Sequence, residues 1–215
     1  MAAISVVGMG PGDPAYLLPA ALKAIEEAEV LFGAPRHIGP YRKKMGEAKE
    51  FRELASPFSA ALDEIEKASS TGKVAVLVSG DPCFYSYLGL LRKRFSPEEL
   101  TLYPGISSFQ VLMARTGTLW NNAVIMSVHG RELSEVVEAY DRSPLLVLLT
   151  DPKNTPPVVA SSLLKAGRRE GTALVGRDLS YPEERIDTYT IPELAELAGT
   201  EDFGDELCVM MLKKG

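Results

Sequence analysis

Short apolar runs alternate with segments whose apolar residues recur at helical spacing, and this rhythm continues along the 215-residue chain. "AISVVGM" is rich in β-branched residues and predicts a buried strand. Asp13-Pro14 then predicts the N-cap and first position of a helix, because the carboxylate accepts from free amides and proline has no amide to leave unpaired. That helix runs through "AYLLPAALKAIEEAE", with Pro19 as an irregularity inside it. "VLFGA" predicts a second strand and "SAALDEIEKAS" a helix. "KVAVLVSG" is an almost continuous apolar run, as expected of a strand covered on both faces. "YSYLGLLRKRF" predicts a helix, "LTLYPG" the end of a strand, and "SSFQVLMART" a further helix.

The rhythm resets at "TGTLWNNA", Thr116 to Ala123. Strands "AVIMSV", "PLLVLLT" and "TALVGR" follow, each succeeded by a turn and usually a helix. "RIDTYT" and "ELCVMMLK" predict antiparallel strands closing a second sheet. Strand and helix patterns in alternation point to a largely parallel α/β protein. The expected organisation is two α/β domains, residues 1–115 and 121–215, joined near residues 113–122, with no internal repeat.

Composition narrows the function classes. Apolar residues make up 46% and charged residues 24%, ordinary for a globular protein with a sizeable core. The chain has only two cysteines, Cys83 and Cys208, both in apolar surroundings, so a disulfide framework or a four-cysteine zinc site is excluded and buried thiols are expected. No basic segment leads into a long apolar run at the start, and no apolar stretch approaches about 18 residues. A cytoplasmic protein without a membrane span is the expectation. The net charge of −6 argues against a nucleic-acid partner. One dense basic cluster, "APRHIGPYRKK", is either a solvated loop or a receptor for a small polyanion.

Four loops share one placement. "VVGMGPGDP", "SGDPCFYS", "YPGISSFQ" and "LTDPKNTPP" each follow a predicted strand. Loops at the carboxyl ends of parallel strands converge on one edge, where ligands bind, and glycine and proline let the backbone turn sharply there. The first loop is not a dinucleotide fingerprint: Gly8, Gly10 and Gly12 alternate, and Asp13 stands where the last glycine would be. A P-loop and a nucleophile-elbow serine are both missing, and His37 and His129 lack metal-pair spacing. No metal is expected. Asp81 is the best-placed carboxylate, serving either chemistry or the shape of its turn. Ser107 and Ser108 either cap the helix they precede, receive a ligand, or do both. His129 is either an ordinary loop histidine or a group beside the substrate.

Taken in order, these four loops resemble those of the tetrapyrrole methylases, over the whole chain. The resemblance implies a dimer of two α/β domains with S-adenosylmethionine held in the cleft between them, and S-adenosylhomocysteine as the product. Pro11 fits such a cleft, since it removes an amide that a phosphate would have used. "PGISSFQVLMARTGTLWNNAVIMSVHGRE", "LTDPKNTPPVVASSLLKAG" and "GRDLSYPEERI" are more specific. They are similar to the branch that methylates C5 of a cobalt-precorrin in cobalamin synthesis. Some relatives there carry a fused module that decarboxylates and methylates C15, so a separate partner for that step is implied.

Position by position, the resemblance implies cofactor contacts at Pro11, Gly80, Asp81, Phe84, Ser107, Ser108, Leu149, Thr150, Gly176 and Leu207. Two departures stand out: Thr150-Asp151 replaces a frequent Met-Gly, and Tyr87 replaces a smaller residue. The implied reaction is attack by an electron-rich ring carbon on a sulfonium methyl, which needs placement more than a side-chain nucleophile. His129 or Asp81 would serve as base for the substrate proton. The acetate and propionate groups of a corrinoid would call for local cations, with Arg36, His37, Arg115 and Arg131 as candidates. Two other readings stay open: a methylase of the same fold with a different corrinoid carbon, protein or ribosomal RNA substrate, and a non-catalytic module that kept only the cofactor site.

Overall fold

The computed structural model describes residues 4–54, 58–199, 203 and 207–214. Ala3 and Glu206, at the ends of two predicted strands, lie outside them. The chain divides into two compact units, Met1–Ser107 and Ser108–Gly215.

In the first unit the elements run β1 (Ile4–Gly8), α1 (Pro19–Glu27), β2 (Val30–Gly33), α2 (Pro35–Met45), β3 (Glu50–Glu53), α3 (Phe58–Ser69), β4 (Val74–Val78), α4 (Leu88–Leu91) and β5 (Leu100–Tyr103). The five strands pair in the order β3-β2-β4-β1-β5, all parallel. The continuous apolar runs have the predicted cause. Ile4, Val6, Val30, Phe32, Val74 and Val76 face a core with Ile65 of α3 and Leu91 of α4. Their neighbours Val7, Leu31, Ala75 and Leu77 face an opposite core with Ile25 of α1 and Ile38 of α2. Alternate residues thus serve two buried faces, so both parities must be apolar.

Several details differ from expectation. The Asp13 carboxylate accepts from Ala15 N at 2.7 Å, but it caps only a 3₁₀ turn over Pro14–Tyr16. Leu18 is extended and α1 begins anew at Pro19, which occupies the first helical turn and does not interrupt a longer helix. The basic stretch that reads as a loop is helix α2, with Pro40 inside it. The helix expected over "YSYLGLLRKRF" contracts to the single turn α4. The edge strand β3, exposed at both ends, has no apolar run to announce it.

The second unit contains α5 (Ser108–Thr116), β6 (Val124–Ser127), α6 (Leu133–Arg142), β7 (Leu145–Leu149), α7 (Pro156–Lys165), β8 (Thr172–Arg177), β9 (Arg185–Thr190), α8 (Ile191–Glu196) and β10 (Cys208–Lys213). Its sheet runs β6-β7-β10-β8-β9. β6 and β7 are parallel, whereas β10 is antiparallel to both neighbours and β9 to β8. No helix follows β8, which turns directly into the antiparallel β9. β10 lies in the middle of the sheet, and β6 and β9 form its edges. Trp120, ahead of β6, meets Phe109 of α5 edge to face, ring centroids 5.4 Å apart. Cys208 is buried as expected, whereas Cys83 is exposed in the loop after β4.

The carboxyl ends of β1, β4 and β5 meet at three glycines. A methyl added to Gly105 would lie 2.1 Å from the carbonyl oxygen of Gly80 and 2.9 Å from the carbonyl carbon of Gly8. One added to Gly8 would lie 2.6 Å from the same oxygen. Backbone therefore packs on backbone at this edge, and a side chain would force the loops apart. Gly105→Ala is expected to lower stability by more than about 2 kcal/mol in urea unfolding. Gly39→Ala in α2, where an added methyl meets nothing within 4 Å, is expected to leave stability unchanged or raise it by up to about 1 kcal/mol.

Candidate active site

In the first unit, the glycine contact sets the positions of the predicted residues around it. Gly10 and Gly80 exchange backbone hydrogen bonds, N–H to carbonyl, at 3.4 and 3.0 Å, and Met9 N donates to Val78 O at 2.8 Å. Gly80 has a positive φ of 60°, open to glycine at little cost. The loop after β1, with Pro11, is thereby tied to the loop after β4. Asp81 joins the third loop. One carboxylate oxygen accepts from Cys83 N at 2.8 Å, within its own turn, and the other from Gly105 N at 3.1 Å. Both oxygens are thus engaged in shaping the loops, the first of the two roles open to this residue.

Ser107, 5% exposed, has its hydroxyl against Gly80, and α5 opens at the next residue, Ser108. Phe84 is half-buried and meets the exposed Tyr85 ring at 4.8 Å. Tyr87 packs against the α3-side core, and burial raises its phenol above the usual range. Pro11, Gly80, Asp81, Phe84 and Ser107 therefore share one edge of one sheet. Backbone amides, a hydroxyl and an apolar ring meet there.

Beside this edge, at the start of α2, the structure places Arg36 and His37 together. Arg36 Nη2 donates to Ser79 Oγ at 2.7 Å, and His37 Nε2 lies 3.3 Å from the same oxygen. Burial, then the Arg36 charge, lowers the His37 pKa to about 4, against a smaller opposing pull from the Leu77 carbonyl. His37 is consequently neutral at pH 7. The positive charge expected of it is absent, and it offers a hydrogen bond in its place.

In the second unit, strand register aligns Ser127, Leu149, Val209 and Gly176 in one row across β6, β7, β10 and β8. A methyl on Gly176 would press on Leu179 and on Leu112 of α5, at 2.9 and 3.1 Å. Thr150 Oγ1 donates to Cys208 O at 2.9 Å, next to Leu207, which is 44% exposed. Asp151 accepts from Lys153 N and Asn154 N at 2.8 and 2.7 Å, so Thr150-Asp151 builds a tight turn after β7. Buried Asn154 donates from Nδ2 to Val128 O at 3.0 Å, fixing the backbone one residue before His129. The exposed His129 is held by Ser127, whose Oγ accepts from His129 N at 3.2 Å and lies 3.3 Å from Nδ1. His129, Leu149, Thr150, Gly176 and Leu207 thus gather at one edge of this sheet.

The remaining predicted cations already have partners. Arg115 forms a forked pair with Glu184 at 2.7 and 3.4 Å, and Glu184 also accepts from Ser180 N. This partner holds the Glu184 carboxyl below its usual range. Arg131 pairs with Glu135 at 3.0 Å, one turn along α6. Sequence reasoning had missed Ser79, Ser127 and Asn154. Each lies within a quoted loop or beside one, but a serine or asparagine in a turn looks the same whether it holds a partner or faces water. Among the described residues no His, Cys, Asp and Glu cluster could hold a metal ion, and no helix is long and apolar enough to cross a membrane.

Comparisons with known proteins agree on one group. A family model described as Tetrapyrrole (Corrin/Porphyrin) Methylases matches residues 3–195. The cobalt-precorrin-7 C(5)-methyltransferase of Salmonella typhimurium is 34% identical over 183 residues, covering 85% of this chain and 88% of its own. A precorrin-6Y methylase of cobalamin biosynthesis from Archaeoglobus fulgidus matches in structure with a TM-score of 0.74 at 21% identity, over 100% of both chains. The uroporphyrin-III C-methyltransferase of Thermus thermophilus, solved with S-adenosylhomocysteine, matches with a TM-score of 0.74 at 22% identity, over 98% and 96% of the two chains.

The lowered pKa of His37 carries a stability consequence. On unfolding, His37 returns to an ordinary value near 6.5, so the unfolded chain binds the proton first as the pH falls. The stabilisation is complete above pH 6.5 and is lost between 6.5 and about 4, a loss of about 3 kcal/mol. Urea midpoints measured across that window are expected to fall less steeply in His37→Gln than in the wild type.

Proposed function

The chain belongs to the tetrapyrrole (corrin/porphyrin) methylases, and from that premise we propose that it transfers a methyl group from S-adenosylmethionine to C5 of cobalt-precorrin-7 in cobalamin biosynthesis. The observation that carries the reading is the 34% identity to a cobalt-precorrin-7 C(5)-methyltransferase across nearly nine-tenths of that protein.

The cofactor, when bound, supplies an electrophilic methyl on a sulfonium sulfur. The chain's own part begins with the glycine-packed edge of the first unit. There Pro11, Gly80, Phe84 and Ser107 form a floor without long side chains, suited to a flat nucleoside and a compact amino-acid end. The donor set fits this ligand better than a phosphate, since the first loop has Pro11 where a phosphate would need an amide. Asp81 keeps the floor in shape through its two backbone acceptor bonds. The family resemblance supports Ser108, Leu149, Thr150, Gly176 and Leu207 as further contacts to the cofactor. Catalysis then rests on holding carbon, methyl and sulfur in line, which supplies up to roughly 7–11 kcal/mol in favourable systems.

With Asp81 occupied by backbone amides, His129 is the better base for the substrate proton. It is exposed, and Ser127 orients its ring. The family resemblance supports two further elements of this reading, a homodimeric assembly and a cytoplasmic location.

The purified protein, incubated with S-adenosylmethionine and cobalt-precorrin-7, is expected to add one methyl by mass, located at C5 by NMR. A product methylated at another carbon would overturn the reading. His129→Ala is expected to lower kcat by roughly 10²–10⁴-fold with unchanged affinity for S-adenosylhomocysteine. Unchanged kcat would remove the base assignment.

A further inference from the structure

Arg36, Ser79 and His37 meet at the carboxyl edge of the first sheet, where β2 leads directly into α2 and the neighbouring β4 ends at Val78. Ser79 is the first residue past β4, next to Gly80 and Asp81 of the ligand edge. The three side chains form a hydrogen-bonded cluster. Arg36 can only donate, so Ser79 Oγ accepts from it at 2.7 Å. His37 Nε2 hydrogen-bonds the same hydroxyl across 3.3 Å. A protonated His37 would set two cationic donors against one hydroxyl oxygen.

This arrangement is unlike that of three of the other four arginines in the same unit. Arg42, Arg52 and Arg94 each pair with carboxylates. Arg115 and Arg131, the other two arginines with an expected substrate role, are bound to Glu184 and Glu135. Among the described residues, Arg36 has no carboxylate partner, and a neutral hydroxyl holds its guanidinium in place. A hydroxyl tether fixes the orientation of the fork without neutralising its charge. The start of α2 adds to this, because Ala34 at the N-cap provides no side-chain acceptor and the helix dipole there favours an anion.

We infer that Arg36 is a receptor for a carboxylate of the substrate, and that Ser79 and His37 are positioning residues that aim it. The inference deepens the corrinoid reading and rests on it for the identity of the ligand. A carboxylate is the anion that fits, since the free edges of a guanidinium bind one through two parallel hydrogen bonds. His37 acts at one remove: as a neutral imidazole on Ser79 Oγ it holds that hydroxyl under Arg36 without adding a second charge.

The test uses two stable probes in absorbance titrations: cobyrinic acid, a corrinoid with free carboxylates, and its fully esterified form. Arg36→Gln is expected to weaken binding of the acid by roughly tenfold, with no change for the ester or for S-adenosylhomocysteine. Arg36→Lys, which keeps the charge and loses the fork, is expected to fall between wild type and Arg36→Gln. Ser79→Ala is expected to weaken the acid by about threefold, and to add nothing in the Arg36→Gln background, because its effect passes through Arg36. Three results would overturn the inference: equal affinity of wild type and Arg36→Gln for the acid, an equal loss for the ester, or a Ser79→Ala effect that persists without Arg36. A wild type that binds the acid in this Arg36-dependent way yet transfers no methyl to cobalt-precorrin-7 would support the receptor and count against the C5 reaction.

Discussion

The approach of Gly8, Gly80 and Gly105 is the constraint on which the carboxyl edge of the first unit's sheet depends. Three parallel strands can end in loops of any shape, but here the loops touch through main chain alone. The consequences follow in sequence. Gly10 and Gly80 come within hydrogen-bonding reach, Asp81 can span from its own turn to Gly105, and the Ser107 hydroxyl lies against Gly80. A single methyl in this contact would separate all of them. Backbone packed this closely leaves no room for side chains, and this explains why glycine recurs at the ends of β1, β4 and β5.

Much of this was legible from residues, because strands with both faces buried must be apolar at every position. "KVAVLVSG" and "AISVVGM" were readable for that reason, and the loops that follow them stood out by their glycines. The failures have equally physical causes. β3 lies at an edge with polar, partly exposed residues, so no burial pattern marks it. Pro19 fits a helix start as well as a helix interruption, and only the extended Leu18 decides between them. The central place of β10 could not be read either, since an apolar strand pairs equally well in the middle of a sheet or nearer its rim until its neighbours are known.

Site residues divide along the same line. Residues whose role depends on backbone shape, such as Gly80 and Asp81, were recognisable because shape imposes residue type. Residues whose role depends on charge were not, since a charge acts through its partners. Arg36, Arg115 and Arg131 looked alike in sequence. The fold gave two of them a glutamate and the third a serine, and so separated one guanidinium with charge to offer from two that are neutralised where they stand. His37 shows the same effect in reverse: a residue counted among the cations becomes neutral once it is buried beside one.

The position of β10 bears on how the molecule is made. As the chain leaves the ribosome, all five strands of the first sheet are present by Tyr103, and that unit has its full set of contacts early. The second sheet cannot close in the same stepwise manner. β6 pairs with β7 and β8 with β9, but these pairs have no contact with each other in the finished sheet except through Cys208–Lys213. Until that segment emerges, each pair presents a bare apolar edge. One half of the protein therefore matures during synthesis, while the other waits for its keystone and stays open to wrong partners in the interval.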